Sequence, residues 1–314
     1  MNNTWKYARN LCKFVLLGLL AGVVCGGVGT AFYHAVALAT RLRKAHPWLL
    51  YLLPVAGLLT AYLYALLKME KDPGTDAVLR ATKEHESVPA HLAALIFSAS
   101  YIARLLGAEA EAYVLQGVPA LSLQSLWPAL VLGLVCALVS ILFCEVMHTS
   151  HKLFGKFFPN RYLRVAVGAA LVMGISLLLD TSRYNGAGSD VIAGAIEGEA
   201  LPWDGIIKLL LTAITMGCGM KGGEIVPSFF VGSTMGCLLG PLVGLSPSFG
   251  AGLCMVGLFC GVVNCPIASV LLSMELFGGA GLPFFALAAA VSFACSGRHS
   301  LYSAQSFVFD KVSV

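Results

Sequence analysis

Charge is scarce in this chain, and the places where it is missing constrain the fold most. No Asp, Glu, Lys or Arg occurs from Phe14 to Thr40, and none from Ile225 to Met274. A helix needs about 20 apolar residues to cross a bilayer. The first run therefore suffices for one crossing, and the second for two crossings or several broken ones. Over all 314 residues only 11% are charged and 58% are hydrophobic, with a mean hydropathy of +0.83. A soluble domain of this length needs far more polar surface. A single cleavable leader does not explain hydrophobicity spread along the whole chain. The expectation is an all-α, polytopic, multi-pass integral membrane protein whose first partner is the lipid bilayer.

Other classes are disfavoured by what the charged and sulfur-bearing residues do not form. The 20 basic against 16 acidic residues make no patch with interleaved aromatics, so no nucleic-acid partner is expected. The ten cysteines lie scattered (Cys25, Cys136, Cys144, Cys218 and Cys254 among them) without a CxxC pair or Cys/His ligand spacing. They read as small buried hydrophobes, with no metal site and no cofactor called for. Lys6, Arg9 and Lys13 favour a cytoplasmic N-terminus, while Arg41, Arg43 and Lys44 pull the other way.

The chain repeats itself. "PGTDAVLRA" (Pro73–Ala81) echoes "AGSDVIAGA" (Ala187–Ala195), pairing Gly74 with Gly188, Thr75 with Ser189 and Asp76 with Asp190. The same spacing pairs His34 with His148, and one residue less pairs Glu86 and Pro89 with Glu199 and Pro202. Two structural repeats follow, one beginning near Leu11 and one near Leu126, which divides the chain into a partial N-terminal repeat (1–125) and a C-terminal one (126–314). Beyond Ala213 the second copy runs on for roughly 100 residues; beyond the matching Ala99 the first has about 26. Roughly 75 residues thus have no counterpart in the first copy. Gly-Thr/Ser-Asp suits a helix N-cap, where a side-chain oxygen meets free backbone N–H groups. Repeated broken helices of this kind build transporter sites near the bilayer midplane.

The second copy carries the stretch with most chemical content, "MKGGEIVPSFFVGSTMG" (Met220–Gly236). Lys221-Gly222-Gly223-Glu224 reads as a loop, and Pro227 marks a helix start because its missing N–H would be unpaired there anyway. Gly232, Gly236, Gly240 and Gly244 recur at a spacing that lets a neighbouring helix approach closely. The motif thus sets a helix N-terminus, with free N–H groups and partial positive charge, at a tight crossing inside the membrane: an anion site. A merely structural re-entrant loop is the alternative.

These residues resemble the CLC chloride channels and proton-coupled anion transporters. "GGEIVPSFFVGSTMG" is similar to the family's third signature, a Gly-x-Phe-x-Pro pattern followed by small residues. "NCPIASVLLSMELFG" (Asn264–Gly278) resembles its late Glu-bearing helix, and "SLYSAQ" (Ser300–Gln305) occupies the place of its anion-contacting tyrosine, Tyr302. The resemblance implies a double repeat of broken helices, the first incomplete. It also implies a central anion bound by the Glu224 and Ile225 amides with Gly222 and Gly223 beside them, and by the Tyr302 hydroxyl. Transport of small anions (chloride or fluoride), protons as coupled ions, a homodimer and a bacterial-type inner or plasma membrane are implied as well. Glu224 stands where most members have an apolar residue, and with Met220-Lys221 it resembles the fluoride-transporting branch. An ionised carboxylate there must be paired or turned away, and Lys221 is close in sequence. The family's Gly-Lys/Arg-Glu-Gly-Pro signature, whose glutamate gates and carries protons, does not occur in the chain. It belongs to the stretch that the repeat lacks after Ser100, so transport is expected to be impaired.

Two other classes are weighed. A non-transporting remnant or partner subunit follows if the absent segment is essential. An intramembrane enzyme would draw on Ser189, Ser233, His34 and His148, but "AGSDV" and "VGSTM" lack the Gly-x-Ser-x-Gly pattern, and the two histidines are repeat mates.

Overall fold

A computed structural model describes residues 2–66, 98, 101–107 and 111–302. Gly74, Thr75 and the rest of the first Gly-Thr/Ser-Asp copy lie outside the described residues, as does Ser100. No strand occurs among the described residues.

The uncharged runs become helices. α1 spans Asn2–Ala45 and, after a 3₁₀ turn at Pro47–Leu52, α2 spans Leu53–Leu66. α3 (Leu123–Phe157) and α4 (Arg161–Leu178) follow, started by side-chain caps from Ser122 and Asn160. Shorter helices come next: α5 (Ser189–Glu197), α6 (Asp204–Gly217), α7 (Ile225–Leu239), α8 (Pro247–Val263), α9 (Pro266–Phe277) and α10 (Leu282–Cys295). Among the described residues, four stretches are long and apolar enough to cross a membrane: Leu19–Ala45, Pro47–Leu66, Leu123–Phe157 and Arg161–Leu178. The run from Ile225 to Met274 divides into broken segments, because Gly240, Gly244 and Asn264 end helices while Pro241, Pro247 and Pro266 begin new ones.

The chain forms two compact units, one drawn from residues 1–47 and 77–111, the other from 48–76 and 112–314. In the first, the Thr30 hydroxyl donates to the Gly26 carbonyl one turn back, and His34 Nε2 lies 3.4 Å from the Leu106 carbonyl oxygen. The second holds the remaining helices named above.

Lipid gives helices no hydrophobic reason to associate, so close packing through small residues has to hold them. The second unit is built that way. A Cβ on Gly232 would lie 2.6 Å from the Cys254 carbonyl oxygen, and one on Gly236 would overlap the Gly250 carbonyl. α7 and α8 therefore touch backbone to backbone, running antiparallel. α3 meets α8 and α10 through the same device. Gly257 faces Cys136, Gly261 faces Ser140 and Ser292, and Gly133 faces the Ala288 backbone at 3.1 Å. Thiols add weak bridges: Cys136 Sγ donates to the Cys254 carbonyl at 3.6 Å and Cys260 Sγ to the Ala289 carbonyl at 3.3 Å. α2 lies along α4, with Gly57 against Val165 and the Arg161 guanidinium donating to the Ala61 carbonyl.

Three local expectations need correction. Gly240 caps α7 and still packs on α8, its Cβ position 3.2 Å from the Gly250 Cα, but Gly244 is a left-handed turn residue (φ 82°) with nothing near its Cβ position and does not extend the packing stripe. Cys25 is exposed on α1, not buried. Ser189 opens α5 but does not cap it. The cap is Gly188 (φ 82°), without a side-chain hydrogen bond, because a Cβ there would meet the Phe230 ring at 2.6 Å.

Gly236→Ala should cost at least about 2 kcal/mol, since the methyl group meets a carbonyl on a backbone that cannot retreat. Gly279→Ala, with nothing within 4 Å of its Cβ position, should leave stability unchanged. Thermal unfolding of the detergent-solubilised protein checks both, and equal melting temperatures would contradict the packing assignment.

Candidate functional site

α7 begins at Ile225, two residues before Pro227, with Glu224 as its N-cap and no side-chain cap on the first turn. Pro227 is the third helical residue, where the absent N–H removes no intrahelical bond.

The start of α7 borders a cavity of about 340 Å³. Gly222, Gly223, Val226 and Pro227 line one side; Thr212, Thr215 and Met216 of α6, Val172 of α4 and the Tyr184–Ala187 loop complete it. Three anchors fix that loop. Ser176 Oγ donates to Asn185 Oδ1 at 2.9 Å. Lys208 Nζ donates to the carbonyls of Tyr184 (3.0 Å) and Gly186 (2.6 Å). The Asp204 carboxylate accepts from Arg183 Nε and Nη2, from Tyr184 Oη and from the Leu201 amide, at 2.8–3.2 Å.

Lys208 is 3% exposed, and its ammonium lies 5.1 Å over the Phe230 ring of α7. From behind the wall this ammonium therefore holds the Tyr184 and Gly186 carbonyls in place. Neither Lys208 nor the Arg183–Asp204–Tyr184 group was anticipated from sequence. The available signal was a lysine inside the apolar run "IIKLLLTAI", since an ionisable residue in such a run marks a functional site by default.

Arg183, Tyr184 and Asp204 lie between α4 and the body of α6, outside the four long apolar stretches. Burial alone would raise the Asp204 carboxyl, but the hydrogen bonds from Arg183, the Leu201 amide and Tyr184 outweigh it and hold the group below the usual carboxylate range. Burial first, and the hydrogen bond to Asp204 second, push the Tyr184 phenol up to about 12.

The antiparallel register locates the remaining expected residues. Gly232 faces Cys254 and Gly236 faces Gly250, so stepping back along α7 leads toward the C-terminal end of α8, where the Phe229 and Phe259 rings meet at 5.2 Å. There the Leu301 amide donates to the Val262 carbonyl at 3.1 Å, and Asn264 Nδ2 donates to the His299 carbonyl. Tyr302, half-buried with its amide donating to Ser300 Oγ at 3.2 Å, therefore reaches the same end of the pair as the α7 start. Cys144 of α3 joins this end, its thiol directed at the Val262 carbonyl, 3.9 Å away. Glu224 and Ile225 do not line the 340 Å³ cavity, whereas Gly222 and Gly223 do. The Lys221 ammonium, expected beside Glu224, lies 5.2 Å over the Tyr64 ring of α2. Of the enzyme candidates, Ser233 donates to the Phe230 carbonyl of its own helix. No cluster of three or more metal-ligating side chains occurs among the described residues.

Helices broken by glycine and proline, packed through small residues around a cavity at a helix start, define a polytopic helical membrane protein. A family model described as voltage gated chloride channel matches residues 77–297, and the chain belongs to that family. The chain is 23% identical over 391 aligned residues to a chloride/fluoride channel protein of Pseudomonas syringae pv. tomato, covering 94% of this chain and 86% of that protein. It is 26% identical over 168 residues to the H(+)/Cl(-) exchange transporter ClcA of Vibrio parahaemolyticus, covering 49% of this chain and 36% of that one. Among solved structures, a CLC-type fluoride/proton antiporter superposes with a TM-score of 0.86 at 23% identity, over 94% of this chain and 98% of that chain. A slow cyanobacterial Cl-/H+ antiporter superposes with a TM-score of 0.58 at 20% identity, over 68% of this chain and 53% of that chain. The double-repeat helical fold is theirs.

Asp204→Asn should destabilise the protein by about 2–4 kcal/mol, since Arg183 and Tyr184 lose their charged acceptor. The wild-type contribution is complete above the ordinary carboxylate pKa of about 3.9 and is lost as pH falls from there through the lowered value. Unfolding measured from pH 6 to pH 3 should therefore show an acid-dependent loss in the wild type that is weaker in the variant; parallel curves would contradict the assignment.

Proposed function

We propose that this chain is built for transport of a small monovalent anion, chloride or fluoride, past the start of α7. The observation that carries this reading is the uncapped first turn of α7 beside the cavity backed by Lys208. In it, the amides of Glu224 and Ile225 donate to the anion, Gly222 and Gly223 let the backbone approach, and the Tyr302 hydroxyl completes the cradle from the α8 end. The name of the Pseudomonas relative, a chloride/fluoride channel protein, supports the choice of ions. A bacterial-type inner membrane and a homodimer belong to the same reading.

We also propose that transport by these 314 residues alone is impaired. The repeat spacing leaves roughly 75 positions after Ser100 without a counterpart, and the alignment with the Pseudomonas protein runs to 391 positions against 314 residues here. That stretch is where the resemblance puts the facing half of the cradle and the gating glutamate. One helix N-terminus stabilises an anion by about 1 kcal/mol, less than the several kcal/mol that desolvating it costs.

Liposome flux, followed with fluoride, chloride and pH electrodes, tests both parts. The chain alone should give no proton-coupled flux, and inserting a Gly-Arg-Glu-Gly-containing segment between Ser100 and Tyr101 should bring it. Robust coupled flux from the 314-residue chain would overturn the impairment. A folded chain that carries the added segment and still stays inactive toward both ions would overturn the transport reading and leave a non-transporting subunit.

A further inference from the structure

A second cavity, of about 240 Å³, lies between α2 and α4 in the same compact unit. Its charged lining residues are Arg161, Arg164 and Lys221, with Tyr64 and Thr60 beside them, and neither Asp nor Glu lines it among the described residues. The three cations come from two elements. Arg161 and Arg164 stand on the first turn of α4, and Lys221 in the loop before α7 reaches across to Tyr64 near the end of α2. Arg164 Nε is buried without a hydrogen-bond partner. Like charges gathered in a partly desolvated pocket repel, and an orphaned guanidinium donor adds its own cost. An anion seated there would relieve both.

The position of the pocket selects the anion. α2 and α4 both belong to membrane-crossing stretches, and although the pocket runs along α2 from Leu53, its charged residues gather where the C-terminal half of α2 meets the N-terminal end of α4. That is the end of a span, at headgroup depth. The short α3–α4 connection is flanked by Lys152, Lys156, Arg161 and Arg164, which by the positive-inside rule faces the cytoplasm. Basic pockets between helices on that side suit anionic phospholipid headgroups. Tyr64 supplies the amphipathic ring typical of this depth. We propose that this pocket binds the phosphodiester of an anionic phospholipid, with Arg164 and Lys221 as its principal cations.

Full-length protein in a nonionic detergent, titrated with phosphatidylglycerol or phosphatidylcholine and read by native mass spectrometry, tests the site. Phosphatidylglycerol should be retained at least about fivefold better, and Lys221→Gln or Arg164→Gln should each lower that retention about fivefold. Lys221→Arg should preserve it. Lys221 is exposed on its loop, so K221Q should melt with the wild type in phosphatidylcholine and keep the test decisive even if R164Q does not fold. Equal retention of the two lipids, or unchanged phosphatidylglycerol retention in K221Q, would overturn the proposal. Displacement of phosphatidylglycerol by an equal concentration of inorganic phosphate would also overturn it, by making the pocket a free-anion site.

Discussion

The contact between Gly236 and Gly250 is the constraint on which the second compact unit depends. Helices in lipid associate through packing, interhelical hydrogen bonds and lipid entropy, and only glycine lets two backbones come this close. Fixing that crossing fixes the axial position of α7 on α8. Everything at the far end of the pair inherits it: the start of α7, the Val262 carbonyl that receives Leu301, and the half-buried Tyr302. α3 is then held against α8 and α10 by small residues at the facing positions.

A second theme is how charge is kept in so apolar a protein. Asp204 is fully buried yet accepts four hydrogen bonds, two of them from a guanidinium that keeps part of its surface exposed. Lys208 is held by backbone carbonyls and an aromatic face. Both arrangements shape the same loop, Tyr184–Ala187, so the polar groups serve the wall of a cavity as well as their own solvation.

What could be read from the sequence was whatever is local and periodic. The uncharged run at Phe14–Thr40 falls within one helix, and Gly222-Gly223 before Pro227 marks the start of α7 within two residues. Family membership was legible from the same motif with the "SLYSAQ" stretch. The rest depends on contacts between residues far apart in the chain. Lys208 looks like an ordinary helix residue until the loop carbonyls are seen around it. Arg183 and Asp204 stand 21 positions apart with no shared period, and the basic pocket joins Tyr64, Arg164 and Lys221 from three elements. Gly188 matched the cap pattern for the wrong reason: its conformation and the Phe230 ring, not a neighbouring hydroxyl, decide the helix start.

The backbone seam between α7 and α8 also limits motion. Sliding α7 by one residue would turn it by about 100° and carry it about 1.5 Å along its axis. Val231 or Ser233, in place of Gly232, would then face the Cys254 carbonyl. Each such step puts a side chain where a glycine now lets the backbones touch, which favours the two helices moving as a single piece. Any alternation of access at the α7 start has to be produced by what surrounds that piece: rotating side chains, the Gly222-Gly223 loop, or whole-unit displacement.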